Sequence, residues 1–82
     1  MFNLFKRKEE EFRCAVFYTN ANVTGLNEVE GILRSFDVKF RTNFDEDPRE
    51  RLHMAEYKWQ CTNSTAKKIF ERLSNVRYCE RV

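Results

Sequence analysis

The chain has 82 residues and a formal net charge of +2, with 41% hydrophobic and 34% charged residues. This length fits one domain with a modest core, and the composition excludes a disordered chain and a repeat protein. No stretch reaches the roughly 20 apolar residues of a membrane span. The three cysteines are an odd number, which does not fit a disulfide framework. The sequence therefore predicts a protein of the reducing cytoplasm without stable membrane association.

Residues 1–11 are predicted to be a leader that precedes a single domain at 12–82. Phe2, Leu4 and Phe5 are apolar, and three basic and then three acidic residues follow them. Two interpretations stay open: a short amphipathic anchor for a membrane surface or a partner groove, and a turn whose charges neutralise one another. The second is favoured because stable anchoring needs more apolar area or a second signal.

The first strand and the first helix are predicted next. Residues 12–19 are rich in aromatic and β-branched side chains, which favour a strand. Between residues 24 and 36 the apolar positions lie three and four residues apart, as on one face of a helix. These apolar positions are Leu26, Val29, Ile32, Leu33 and Phe36.

Two further strands are predicted around a charged loop. Residues 37–44 alternate between apolar and polar side chains, which indicates a half-buried strand. The loop at 45–50 contains an Asp-Pro pair typical of a turn. Residues 51–61 then form the third strand, in which Tyr57 and Trp59 alternate with polar residues.

A second helix is predicted after residues 62–65, which offer several possible N-caps. It ends at 74–75, and residues 76–82 form a short last strand. Its apolar face consists of Ala66, Ile69, Phe70 and Leu73. The element order is therefore βαββαβ, which right-handed crossovers turn into a four-stranded antiparallel sheet with both helices on one face.

In this order residues 12–82 resemble the ferredoxin-like fold, an α+β fold shared by RNA recognition motifs and ACT-type regulatory domains, in which strands one and three are central. The chain departs from the motifs of both families. Tyr57 and Trp59 alternate without the glycine that separates the paired aromatics of an RNA recognition motif, so no stacking residues are carried over from it. Gly25 alone does not make the glycine-rich ligand-binding turn of an ACT-type domain.

The sheet face that the helices leave open is the most informative feature of the sequence. If the more apolar set of each strand points inward, the outer set has six basic residues and one acid, Glu56, whereas the whole chain has 15 and 13. Because cations neutralise phosphates and an exposed ring stacks on a base, this face predicts binding of single-stranded RNA. The predicted nucleic-acid-binding residues are Arg13, Phe17, Lys39, Arg41, Lys58, Arg77 and Arg81. The alternative is an open face that contacts only solvent, because such faces are polar without any binding function. A one-residue slip in register would also exchange the inward and outward residues of the first strand.

No catalytic, cofactor or metal site is predicted, and we do not expect an enzyme. His53 is the single histidine, and a strand over 53–61 would place it about 26 Å from Cys61, at about 3.3 Å per residue. Cys14, Cys61 and Cys79 fall on strands that could adjoin. Three thiols make an incomplete zinc site unless a dimer completes it, so apolar packing of the cysteines is favoured.

Three binding functions follow from these features. The first is a small RNA-binding or regulatory protein that uses the open face. The second is a protein-binding inhibitor or adaptor of the phage or mobile-element type, and the third is an ACT-like ligand-sensing domain. In all three cases we expect a homodimer, formed by edge pairing or sheet packing.

Overall fold

The computed structural model describes residues 8–82 and shows the predicted element order. The elements are β1 (Glu9–Tyr18), α1 (Thr24–Ser35), β2 (Phe40–Asp45), β3 (His53–Thr62), α2 (Asn63–Leu73) and β4 (Cys79–Arg81). All strand pairs are antiparallel and the strand order is β2-β3-β1-β4. The predicted ferredoxin-like α+β fold, with the first and third strands in the centre, is confirmed. Within the described range, no helix is long and apolar enough to cross a membrane.

The core lies between the two helices and one face of the sheet. β1 points Cys14 and Val16 to the helices, and β3 points Tyr57 and Trp59 to them, and all four side chains are buried. The helices bury Leu26, Val29, Leu33, Ala66, Ile69 and Leu73 against them. Each large aliphatic side chain buried in this way contributes about 1.5–3 kcal/mol to the free energy of unfolding.

Aromatic rings pack along the helix face in three groups. Phe12, Trp59 and Phe70 form the first group, with ring centroids 5.5 to 6.4 Å apart. Phe40 packs edge-on against Tyr57 in the middle of the sheet. Tyr18 contacts Phe44 and His53 at the end where β1 finishes. Most of the many aromatic side chains of this chain are therefore used on the helix side of the sheet.

The two helices begin differently. The hydroxyl of Thr62 accepts a hydrogen bond from the backbone N–H of Thr65, so α2 has a side-chain N-cap. The N-cap residue of α1 is Val23, which makes no side-chain cap hydrogen bond. A hydrogen bond from the Tyr57 hydroxyl to Glu30, 2.7 Å long, joins α1 to β3.

The first strand begins at Glu9, earlier than the predicted domain boundary at residue 12. Glu9, Glu10 and Glu11 pair with the last residues of β3, Gln60 to Thr62. Residues 9–11 of the predicted leader are therefore part of the sheet, and that boundary is wrong. The remainder of the leader, 1–7, lies outside the described residues.

The last strand is shorter than predicted and has the opposite phase. β4 covers Cys79–Arg81, and Arg81 lies opposite Cys14 while Cys79 lies opposite Val16. Both residues consequently face the helices, whereas the sequence pattern placed them on the open face. Tyr78, the residue directly before β4, has a positive φ of 61°.

Candidate functional site

Three of the predicted site residues lie side by side on the open face. Lys58 of β3 is opposite Arg41 of β2 and opposite Arg13 of β1, so the three cations form one row across the sheet. Lys39 is exposed and precedes β2. Like charges directly opposite one another are unfavourable, so this row of cations does not stabilise the sheet.

Two predicted site residues lie elsewhere, and their assignment to the open face is wrong. Arg81 points to the helix side, where its guanidinium lies 4.1 Å from the centroid of the Phe70 ring. Arg77 lies in the turn before β4, with its guanidinium 5.9 Å from the centroid of the Tyr78 ring. The different phase of β4 accounts for both errors.

The predicted charge surplus of the open face is also wrong. Within the four strands this face has three cations, the row of Arg13, Arg41 and Lys58, but five acids. The acids are Glu9, Glu11, Asp45, Glu56 and Glu80. Because the RNA prediction depended on a basic face, it loses its support here.

Phe17, the one predicted aromatic of the site, borders a groove at the end of the sheet. The groove has a volume of about 490 Å³ and lies where β1 ends, α1 begins and the turn before β4 approaches them. Its apolar wall is formed by Phe17, Tyr78 and Leu52. The polar residues of its lining are Thr19, Asn22, Thr24, Glu28 and Arg77.

Tyr78 is the most unusual residue of this groove. Its φ of 61° is in the left-handed region, which a bulky side chain rarely adopts. The carbonyl oxygen of Tyr78 accepts a hydrogen bond from the N–H of Phe17, 3.0 Å long, and this holds the turn against β1. Tyr78 as a whole is 63% exposed, so the strained backbone presents an aromatic residue to solvent.

Gly25 makes the corner of the groove possible. A Cβ atom at this position would lie 3.2 Å from Cγ1 of Val16 and 3.5 Å from the carbonyl oxygen of Arg77. The missing side chain of glycine lets the first turn of α1 pack closely on Val16 of β1, where a Cβ atom would make a tight contact. At the same corner the Asn22 side chain accepts a hydrogen bond from the N–H of Thr24, which orients the loop.

A second cleft, of about 810 Å³, lies at the other end of the sheet near the end of α1. Its lining has six charged side chains of both signs, Glu9, Glu11, Asp37, Lys39, Arg41 and Lys58. The groove at Phe17 has only one acid, Glu28, and one cation, Arg77, beside its apolar wall. The groove bounded by Phe17 and Tyr78 is therefore the better candidate site.

The remaining titratable side chains do not form a metal site. Among residues 8–82 no three His, Cys, Asp or Glu side chains are grouped so that they could hold a metal ion. Cys14 and Cys79 lie together, but Cys61 is buried on β3 opposite Glu10. His53 is buried against Tyr18, and its Nδ1 has no hydrogen-bond partner within the described part of the chain.

Sequence reasoning identified Phe17 but missed Tyr78, Leu52 and the role of Gly25. Leu52 and Tyr78 fell inside the predicted strands 51–61 and 76–82, but the structure places each of them directly before a strand, and the sheet topology brings both to the end of β1. In the sequence Gly25 is an isolated glycine, and no residue pattern shows that it approaches Val16 and Arg77.

Solved structures with the same architecture are found in three proteins of low sequence identity. An uncharacterised protein from Thermotoga maritima is 9% identical with a TM-score of 0.63, covering 92% of this chain and 94% of that chain. An H. pylori protein determined in solution is 13% identical with a TM-score of 0.64, covering 100% and 94%. The ACT domain from GTP pyrophosphokinase of Chlorobium tepidum is 14% identical with a TM-score of 0.60, covering 92% and 100%.

At these identities the similarity shows the fold alone. The chain is thus an α+β protein of the ferredoxin-like class, with an architecture that an ACT domain also has. Neither the family models nor the curated proteins include a match to this sequence.

Proposed function

We propose that this chain is a non-catalytic regulatory domain that binds a small molecule in the groove between β1, α1 and the turn before β4. The observation that supports this most directly is Tyr78, an exposed ring held by a left-handed backbone at the wall of the groove. Strained residues are retained where the surrounding structure and a function require them. The similarity of the fold to an ACT domain is consistent with a regulatory role.

The lining of the groove indicates the chemistry of the ligand. Phe17, Tyr78 and Leu52 offer an apolar and aromatic wall, which suits a flat or branched apolar group. Arg77 lies in the rim and offers a planar, fixed positive charge for a carboxylate or phosphate. Glu28 also lines the groove, so the ligand class is a small amphipathic molecule with an apolar part and an anionic group that meets Arg77.

The proposal does not include a reaction. Thr19 and Thr24 are the aliphatic hydroxyls in the groove, and neither hydroxyl is hydrogen-bonded to a carboxylate or an imidazole within residues 8–82. A hydroxyl nucleophile needs such a base to be activated. Binding of a small molecule without chemical change is the function that this arrangement supports.

Thermal unfolding in the presence of candidate ligands tests the proposal. The panel consists of free amino acids, mononucleotides and aromatic carboxylates, each added in excess. A ligand present at a hundred times its Kd stabilises the folded state by about 2.7 kcal/mol, which is easily measured as a rise in Tm. The proposal is wrong if no member of the panel raises the Tm.

Two groove variants and one distant variant locate the site. Tyr78→Asn removes the ring but keeps a residue that tolerates the left-handed backbone, and Arg77→Ala removes the cation. We expect both to lose the ligand-induced rise in Tm, whereas Arg41→Ala, on the open face, keeps it. Equal loss in all three variants would show that the ligand binds outside the groove.

A further inference from the structure

Two of the three cysteines lie together on neighbouring strands. Cys14 of β1 and Cys79 of β4 both point to the helix face, and they are offset by two residues in the register because Cys79 lies opposite Val16. Cys14 is completely buried, and Cys79 is half-buried at the edge strand. Such diagonal neighbours on one face are close enough for their side chains to interact.

The two thiols have different chemical characters. A hydrogen bond between them raises the pKa of Cys14, which burial raises further, and lowers the pKa of Cys79. Cys79 is thus both the more readily ionised thiol and the one that solvent reaches. A partly exposed thiolate beside a second thiol is the arrangement that thiol–disulfide exchange requires.

We propose that Cys79 and Cys14 are a site of thiol–disulfide exchange that reacts with low-molecular-weight disulfides such as glutathione disulfide. The Cys79 thiolate attacks one sulfur of the oxidant, forms a mixed disulfide and releases one glutathione thiolate. Cys14 then gives up its proton and attacks the Cys79 sulfur, which forms the Cys14–Cys79 bond and releases the second glutathione. Two electrons pass from the two cysteine sulfurs to the oxidant, and the two protons end on the two released glutathione thiols.

The geometry of the strands defines what the bond would change. Diagonal Cα atoms in an antiparallel pair are about 7–8 Å apart, and a disulfide needs less than about 7 Å. Because the two cysteines are offset along the strands, closing the bond requires β4 to shift along β1. This shift acts against the three residue pairs and against the backbone hydrogen bonds from Phe17 to Tyr78 and from Val82 to Arg13. Tyr78 directly precedes Cys79, so its hydrogen bond to Phe17 is among the contacts that the disulfide would strain.

The test is incubation of the purified protein with glutathione disulfide, followed by non-reducing peptide mapping and thiol counting. We expect one thiol to stay free and a linked pair of peptides that contain Cys14 and Cys79. The third cysteine, Cys61, is the internal control, since it lies on β3 at the level of Glu10, about 13 Å along β1 from Cys14 at about 3.3 Å per residue. Three free thiols after incubation, or equal modification of Cys61, would overturn the proposal.

Cysteine-to-serine variants test the formation of the mixed disulfide and its resolution separately. Cys61→Ser is expected to form the bond at the rate of the unaltered chain, and Cys79→Ser to form neither the bond nor a mixed disulfide. Cys14→Ser is expected to accumulate glutathione on Cys79. If Cys14→Ser does not fold, the peptide map of the unaltered chain still shows whether Cys14 and Cys79 form the bond. Glutathione retained on Cys79 of the unaltered chain, with no link to Cys14, would contradict the resolving role of Cys14.

Discussion

Two buried tyrosine hydroxyls make stability depend on alkaline pH. Tyr18 donates a hydrogen bond to Glu46, and Tyr57 donates one to Glu30. Burial, and then the carboxylate, raise the pKa of Tyr57 and raise that of Tyr18 to about 12. In the unfolded chain a tyrosine ionises at about pH 10. As the pH rises, the unfolded state therefore loses these protons before the folded state does.

The contribution of these two tyrosines to the free energy of unfolding should therefore be constant up to about pH 9 and fall from about pH 10 upward, because the unfolded state then binds fewer protons than the folded state. Urea unfolding at a series of pH values measures this. Tyr57→Phe removes one of the two groups, so we expect its midpoint to fall less steeply above that pH. An equally steep fall in Tyr57→Phe would show that Tyr57 is not one of the groups responsible.

The two glycines of α1 differ in what surrounds them. Nothing lies within 4 Å of a Cβ atom at Gly31, whereas one at Gly25 meets Val16 and the backbone of Arg77. We expect Gly31→Ala to raise the free energy of unfolding by about 0.5–1 kcal/mol. Gly25→Ala should lower it, since the buried Val16 cannot move freely. Urea midpoints of the two variants measure the difference, and the reverse order would contradict it.

At the level of the helices, the N-caps are the features that a single substitution can test. Thr62→Val keeps the shape of the side chain but removes the hydroxyl that caps α2, so we expect a loss of about 1 kcal/mol. Val23→Ser supplies a side-chain acceptor that α1 lacks and is expected to stabilise the protein by about 0.5 kcal/mol or more. If Val23→Ser instead destabilises the protein, the hydrogen bond that Asn22 accepts from Thr24 already caps the start of α1.

The strands and helices could be predicted from the sequence where a periodic pattern of apolar residues agreed with the packing of the core. Trp59 and Tyr57 alternate with polar residues, and this alternation placed the buried face of β3 correctly. The glutamates at 9–11 have low strand propensity, but pairing with the end of β3 overrides it. For β4 no pattern in seven residues could show that the strand begins only at Cys79, or that Tyr78 before it adopts a left-handed backbone.

The groove could be predicted less well than the fold. Phe17 followed from the alternation in β1, but its neighbours Tyr78 and Leu52 come from separate turns. Their proximity depends on the order of strands and on where each strand ends. Strand ends are the part of a fold that residue patterns define least.

At the scale of the whole molecule, the small positive net charge is not concentrated on the open face. We expect no measurable binding of a fluorescently labelled single-stranded RNA at low salt, since five acids and three cations share the strands of that face. Fluorescence anisotropy measures this, and Glu11→Lys combined with Glu80→Lys, which reverses the balance, is the matched comparison. Binding by the unaltered chain that weakens steeply with salt would restore the RNA interpretation.

The single tryptophan is placed to report on only one end of this protein. Trp59 is 2% exposed and packs against Phe12 and Phe70, and it pairs with Phe12, five residues along β1 from Phe17. That separation is about 16 Å at about 3.3 Å per residue. Its fluorescence emission will follow melting of the core but stay silent when the groove fills. An indole introduced as Tyr78→Trp, in a Trp59→Phe background, would be the single tryptophan and would give the groove an optical signal of its own.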